Sequence, residues 1–326
     1  MPRSAHSAPR RQKGGLPVND KELAVIIAAY QEEDTIEKTV STVDAVLNKD
    51  GIPHTFILVN DGSRDATWDR ICALEKRFPV RGICFARNFG KEAAVYAGLQ
   101  QAADFPCCVV MDADLQHPPE KIAEMVAKWE GGAEIVEGIK ESRQEESGLN
   151  RFCANLFYSL ISRATGMDMS SSSDFKLLDR KVVLTLVNLR ERNAFFRALT
   201  FWTGYRTDRV TYKVAPRIAG ETKWSFVSLV KYSIRNITSF TTAPMQIVTL
   251  FGFLMLILAV LQGIEAMMTW LSGRAADGFT TVILLLLFIG SMIMISLGII
   301  GCYIGEIYQE VKGRPRYVIE KTLNIP

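Results

Sequence analysis

Short, continuous apolar runs alternate with stretches of helical period through the first half of the chain. Leu23–Ala29 (LAVIIAA) has strand length, and a helix is predicted after it from about Asp34 to Leu47. Thr55–Val59 predicts a second strand, ending in Asn60-Asp61-Gly62-Ser63, with a helix from Asp65 to about Phe78. Gly82–Phe85 with a helix over Lys91–Ala103, Cys107–Met111 with a helix from about Pro119 to Trp129, and a short fifth strand at Glu134–Glu137 complete the series. Apolar strands separated by helices predict an α/β fold, a doubly wound and mostly parallel sheet. Ligands of such sheets sit outside the carboxyl ends of the strands.

The pattern changes in the last third. No Asp, Glu, Lys or Arg occurs from Asn236 to Ile264 or from Gly278 to Gly305. Each stretch exceeds the ~20 apolar residues that cross a bilayer, so two transmembrane helices are predicted. Lys223, Lys231 and Arg235 precede the first, and Lys312, Arg314, Arg316 and Lys321 follow the second, while the loop between them, about Glu265 to Asp277, has only Arg274. The positive-inside rule then places the large domain and both termini in the cytoplasm, most simply at a bacterial inner membrane. Trp224–Thr242 mixes Trp224, Phe226, Leu229, Val230, Tyr232 and Ile234 with Lys231 and Arg235, the pattern of a helix lying in the membrane surface. Met1–Asp20 is rich in Pro, Ser and Arg without an apolar centre and reads as a disordered basic tail, not a signal peptide.

Composition adds two limits. A chain of 326 residues, 48% hydrophobic and of net charge +3, has room for one α/β domain of ~200–240 residues beside the membrane segments. Its 6 cysteines lack C-x-x-C spacing, as expected of reduced, mostly buried thiols.

The candidate chemistry sits at the strand ends. Asp112-Ala113-Asp114-Leu115-Gln116-His117-Pro118-Pro119 follows the fourth strand directly. Two carboxylates one residue apart at a strand end point the same way and repel unless a positive group lies between them. A hard divalent cation, Mg2+ or Mn2+, shared with water and a diphosphate, answers that need; a polar loop capping the next helix is the alternative. Tyr30-Gln31-Glu32-Glu33, Asn60-Asp61-Gly62-Ser63 and Arg87-Asn88 fall at the same edge, so the site reads as a nucleotide-type cleft. The absence of G-x-G-x-x-G and G-x-x-x-x-G-K-[ST] counts against a dinucleotide fold or a P-loop.

These residues carry a resemblance. The first strand with Ala29-Tyr30-Gln31-Glu32-Glu33, the segment Asn60–Thr67 and the DADLQHPP run are similar to three motifs of the family 2 glycosyltransferases. Arg87-Asn88-Phe89-Gly90-Lys91-Glu92, Asp174–Arg180, Arg217–Trp224 and Gly305–Tyr317 resemble the polyprenyl-phosphate branch, which includes dolichol-phosphate mannose synthases and bactoprenol glucosyltransferases. The chain departs from the pattern where Ala28 or Ala29 stands for Pro, Gln31 for Asn and Lys140 for Arg, which implies altered local geometry with activity kept.

The resemblance implies a GT-A-like domain that transfers a sugar, with inversion, from a UDP- or GDP-linked donor to a polyprenyl phosphate. Asp112, Asp114 and Gln116 would hold the cation and donor phosphates. Asp61 would meet the base or ribose, Tyr30 and Glu32 would line that pocket, and Lys91, Arg217 and Lys223 would meet phosphate. Lys140, Arg143 and Arg151 would bind the acceptor phosphate, a role suited to the arginine fork. Asp174 is the candidate catalytic base, with positioning of sugar or acceptor as its alternative, because a phosphate monoester is already largely dianionic at neutral pH.

The implied organisation is a tail (1–20), a GT-A-like domain (21–222), an amphipathic juxtamembrane helix (223–243), two transmembrane helices with a short external loop (244–305) and a cytoplasmic tail (306–326). The partners are a nucleotide sugar, a polyprenyl phosphate and the membrane, with no nucleic acid; a homo-oligomer is left open. A processive polysaccharide synthase is the rival enzyme reading, although its Q-x-x-R-W is absent, and a non-catalytic nucleotide-sugar-binding membrane protein is the other alternative.

Overall fold

Parallel strands covered by helices on both faces need apolar residues at every position, and the runs read above meet that demand. The computed structural model describes residues 21–141, 173–189, 191, 195–213, 243–272 and 279–325. Its strands are β1 (Leu23–Ala29), β2 (His54–Asn60), β3 (Val80–Phe85), β4 (Cys107–Asp112), β5 (Ile135–Lys140), β6 (Lys176–Asp179), β7 (Thr207–Tyr212) and β8 (Ile319–Leu323). Helices α1 (Ile36–Lys49), α2 (Thr67–Leu74), α3 (Lys91–Ala102), α4 (Lys121–Glu130), α5 (Arg180–Asn188) and α6 (Phe196–Trp202) accompany them. In α1, Ile36, Val40, Val43 and Leu47 recur at helical spacing and are fully buried, which fixes the face it turns to the sheet.

The strands form one sheet in the order β7-β5-β6-β4-β1-β2-β3-β8. β1 pairs in parallel with both β2 and β4, and β3 runs parallel to β2. The chain leaves β1 in one direction for β2 and β3 and later returns to its other side for β4. That reversal opens a crevice at the carboxyl ends, the place where doubly wound sheets bind ligands. The predicted doubly wound, mostly parallel sheet is therefore the one observed. It carries two antiparallel insertions: β6 lies between β4 and β5, and β8 pairs with β3.

The carboxyl-terminal segment, read from sequence as a tail, returns to the sheet as β8. Charged residues interrupt Ile319-Glu320-Lys321-Thr322-Leu323, so no apolar run announces an edge strand. β6 is only four residues long, and Asp179 at its end caps α5 by accepting a hydrogen bond from the Lys181 N–H at 2.8 Å.

Two further helices belong to a separate unit, and residues from Pro315 onward rejoin the sheet-bearing one. These are α7 (Ala243–Leu271) and α8 (Phe279–Val311). Met245–Thr269 and Phe288–Val311 have mean hydropathies of 2.5 and 2.0 with no part of either buried, so both are long and apolar enough to cross a bilayer. The predicted tail at 1–20 and nearly all of the predicted juxtamembrane helix lie outside the described residues.

Helix α3 packs against β1 and buries Ala94, Ala97 and Gly98, with Gly98 set against Ile26. A Cβ on Gly98 would lie 2.3 Å from Cγ2 of the fully buried Ile26, whose β-branched side chain has little room to turn. Gly98→Ala should therefore lower stability by about 1–3 kcal/mol through overpacking, although alanine is the better helix former. Thermal unfolding of the full chain in detergent checks this; an unchanged or raised midpoint would contradict the close helix–sheet contact.

Candidate active site

Strand register creates the central problem of the site. β4 and β6 are antiparallel, with Val110 opposite Lys176. Continuing that register by two residues brings Asp174 opposite Asp112, two carboxylates facing across a strand pair, which repel. The first residue of α3 resolves the conflict. Lys91 Nζ lies 2.5 Å from Asp112 Oδ1 and 2.7 Å from Asp174 Oδ2. Asp174 is gripped from its other side by Arg197, whose Nε and Nη2 donate to its two oxygens at 2.6 and 3.0 Å. This bidentate pairing is the strong form of the carboxylate–guanidinium contact.

The charges follow from these contacts. Burial alone would raise the pKa of Asp174, but the Lys91 ammonium and the Arg197 guanidinium outweigh it and hold the carboxyl far below its usual range. Asp112 is likewise lowered, against its burial, by Lys91. Burial disfavours the Lys91 ammonium, yet Asp112 and Asp174 push its pKa above the ordinary lysine value. Glu92, next to Lys91 on α3, behaves differently. Its Oε2 accepts the Phe196 N–H at 2.9 Å, at the start of α6, while burial and then the nearby Asp174 raise its pKa to about 7. Lys91, Asp174, Arg197, Phe196 and Glu92 thus form a closed ring between α3, the start of β6 and α6.

The turn after β4 is built around the second carboxylate. Asp114 Oδ1 accepts the Gln116 N–H at 3.1 Å, and Thr39 of α1 donates to the Ala113 carbonyl at 2.6 Å. Leu115, between them, has φ 56°, a left-handed conformation that a leucine rarely adopts and that often marks functional turns. His117 supports Asp112 from beneath. Its Nδ1 accepts the Asp112 N–H at 3.1 Å, and its ring stacks on Phe175 with centroids 5.0 Å apart. Burial lowers the His117 pKa, in keeping with a neutral ring that accepts at Nδ1.

Asp112, Asp114 and Gln116 offer only oxygen donors towards a cation, the donor set that Mg2+ and Mn2+ prefer. Among the described residues no group of three or more His, Cys, Asp and Glu side chains forms a metal cage. The donor chemistry of these three residues suits such a cation, and the positive group that the structure places against Asp112 is the Lys91 ammonium.

Beside this cluster a cleft of about 430 Å³ opens at the ends of β2 and β3. Tyr30, Asn60, Arg64, Asp65, Arg87 and Asn88 are among its lining residues. Asp61 lies beneath it. The sequence reading sends Asp61 to the base or ribose; its oxygens accept the Phe89 and Gly90 N–H groups at 2.7 and 2.9 Å. It thereby fixes the loop that forms one wall, while burial, partly offset by those two bonds, raises its pKa. Gly62 has φ 63°, and a Cβ there would come 2.2 Å from the Arg87 carbonyl carbon, so only glycine lets the loops after β2 and β3 meet. Tyr30 is 41% exposed in the cleft. Glu32 turns back to the start of α1, where it accepts from the Thr35 hydroxyl, and its N–H donates to Thr67 Oγ1 at 2.9 Å.

Of the residues predicted from sequence, Asp112, Lys91 and Asp174 come together, Asp114 and Gln116 share the adjoining turn, and Tyr30 lines the cleft, whereas Asp61 is buried and holds a loop and Glu32 turns to Thr35, so neither is among the cleft-lining residues. Lys140 ends β5 at the same sheet edge and is exposed. Arg143, Arg151, Arg217 and Lys223 lie outside the described residues. Sequence reasoning missed Arg197 and gave Glu92 and His117 no role. Glu92 and His117 were visible inside quoted motifs, whereas nothing near Arg197 marked it.

Comparison with known proteins supplies the family. Residues 24–184 match Glycosyl transferase family 2. A bactoprenol glucosyl transferase of Shigella phage SfII is 34% identical over 303 residues, covering 92% of this chain and 98% of that protein. An uncharacterised glycosyltransferase of Synechocystis is 36% identical, covering 91% of this chain and 94% of its own. Among solved structures, glucosyl-3-phosphoglycerate synthase from Mycobacterium tuberculosis aligns with a TM-score of 0.48 at 17% identity, over 68% of this chain and 79% of that one. With the doubly wound sheet and a relative of 36% identity matched over nearly its whole length, the chain belongs to glycosyl transferase family 2 and its sheet domain is GT-A-like.

Proposed function

We propose that the protein transfers a sugar, with inversion, from a nucleoside-diphosphate sugar to a polyprenyl phosphate at the cytoplasmic face of a membrane. The alignment of cleft and charge cluster carries this reading. Ala28 pairs with Asp112 and Ala29 with Asn60, so the ends of β4, β1 and β2 are level. Two strand spacings, about 10 Å, separate β2 from β4, a span suited to a nucleoside in the cleft with its diphosphate at Asp112. Relatives named bactoprenol glucosyl transferases, matched almost end to end, support a lipid phosphate as acceptor. The two apolar helices, with basic residues before the first and after the second, support a membrane setting with the sheet domain on the cytoplasmic side.

In the reaction an oxygen of the lipid phosphate forms a bond to the anomeric carbon as the bond from that carbon to the diphosphate oxygen breaks. The acceptor is already largely dianionic, so no proton has to leave it. Asp174, held far below the usual carboxylate range, is a poor base; its work is to position Lys91 and Arg197, two cations able to meet phosphate. A Mg2+ or Mn2+ held by Asp112, Asp114 and Gln116 would supply Lewis-acid stabilisation of the leaving diphosphate. Arg143, Arg151 and Lys140 complete the acceptor side, and Arg217 and Lys223 the donor side, in this proposal.

Membranes carrying the protein, given polyprenyl phosphate and labelled UDP- or GDP-sugars with and without Mn2+, should form a glycosyl-phosphate lipid only when the cation is present. A polymer product, or transfer undiminished by EDTA, would overturn the reading. Asp174→Asn should lower kcat by about 10²–10³-fold, the size of loss seen when a preorganised electrostatic group is removed. In both proteins kcat/KM should rise with pH through the acceptor's second ionisation near ~6. A limb lost from the variant alone would instead make Asp174 the base.

Glu92 gives a stability test of the same ring. Its folded pKa of about 7 stands above the ordinary 4.5, so folding binds the proton more tightly, and stability falls as pH rises from about 4.5 through about 7. Glu92→Gln still accepts the Phe196 N–H without the charge. The variant should be more stable than wild type by about 1–3 kcal/mol at pH 8 and equal to it near pH 4.5, read from thermal midpoints.

A further inference from the structure

The nucleotide cleft is closed on one side by a strand that the chain reaches only after both apolar helices. A single ladder row crosses this part of the sheet: Ala29 pairs with Asn60, Asn60 with Cys84, and Cys84 with Lys321 of β8. Asn60 Nδ2 contacts Cys84 Sγ at 3.2 Å, so the floor of the row is continuous. Glu320 and Lys321 both line the cleft, facing the wall made by Arg64, Asp65, Arg87 and Asn88. Their mutual contact is loose, 3.8 Å between Lys321 Nζ and Glu320 Oε1, and their side chains are 51% and 57% exposed, which leaves both able to turn to a ligand.

Charged residues on an edge strand also guard against sheet-to-sheet pairing, and that alone would explain a lysine here. β8 is held far more firmly than such protection needs. The Tyr317 ring stacks on Phe85, itself a cleft residue, with centroids 4.6 Å apart, and its hydroxyl reaches Gln100. The Arg316 guanidinium lies 3.7 Å over the Tyr96 ring, and its Nη2 donates to the carbonyls of Leu189, at 2.7 Å, and Glu191. The Ala86 N–H donates to the Val318 carbonyl at 3.0 Å, and Asn324 Nδ2 donates to the Val80 carbonyl at 3.0 Å. A strand pinned at both ends, with two exposed charged residues in the lining of a nucleoside-sized cleft, is a built wall of that cleft.

We propose that β8 reads the nucleoside of the donor, with Lys321 donating to its acceptor oxygens and Glu320 accepting from its hydroxyl or N–H groups. The inference rests on the reading of the cleft as the donor site and adds a specificity determinant to it. The full chain in nanodiscs is titrated with UDP and with GDP as probes, alongside Lys321→Ala, Glu320→Gln, the double variant, and Thr322→Ala as an exposed control on the same strand that does not line the cleft. Lys321→Ala should raise the Kd of whichever nucleotide binds wild type by about tenfold or more, a charged hydrogen bond's worth, and Glu320→Gln should weaken binding or narrow the UDP/GDP preference. The acceptor KM, the ligand-free thermal midpoint and the control should stay unchanged. Wild-type binding that neither single variant nor the double variant alters overturns the role of β8 and leaves the donor cleft standing. A wild type that binds neither nucleotide overturns both.

Discussion

Two carboxylates set opposite one another by strand register, with one ammonium between them, govern the rest of this site. Asp112 and Asp174 cannot both remain charged in the sheet crevice without Lys91, and Lys91 reaches both only because α3 begins where the loop after β3 delivers it. That loop is in turn fixed by Asp61 through the Phe89 and Gly90 N–H groups. The hydrogen bonding of one buried aspartate therefore sets the position of a cation one strand-end away. Replacing a member of such an arrangement leaves a charge without its partner, which costs more than the contact itself contributes.

The same arrangement balances the charge at the centre of the crevice, with Lys91 and Arg197 set against Asp112 and Asp174. Lys91 and Arg197 are occupied internally, which keeps the crevice ordered before any substrate arrives. In the proposed reaction, phosphate would meet cations already positioned, so little would have to be reorganised.

Much of this was legible in the sequence, for a physical reason. Buried parallel strands must be apolar along their whole length, so Leu23–Ala29 and Cys107–Met111 declare themselves, and the polar residues after them are necessarily at the ligand edge. Arg197 and β8 were not legible because each depends on tertiary contact. Arg197 lies on a helix of seven residues with no motif around it, and β8 pairs with a strand more than 200 residues earlier. Gln31 is an intermediate case. Its departure from the usual Asn was visible, but the reason an Asn suits the position appears only in the structure: φ is 57°, a left-handed conformation that Asn adopts more readily than Gln. The Gln31 N–H bond to Ser63 Oγ, 2.9 Å, helps to hold the turn in that conformation.

The position of β8 also has a consequence for how the molecule is made. Its partner, β3, is complete at Phe85, whereas Ile319 follows both apolar helices. At ribosomal rates of about 5–20 residues per second, the β3 edge waits roughly ten to forty-five seconds for its neighbour. Throughout that interval the nascent domain carries an open, largely apolar strand edge, the condition under which strands pair wrongly. Completion of the sheet thus reports that both apolar helices have already been synthesised, and a chain arrested before them would be left with an unfinished fold.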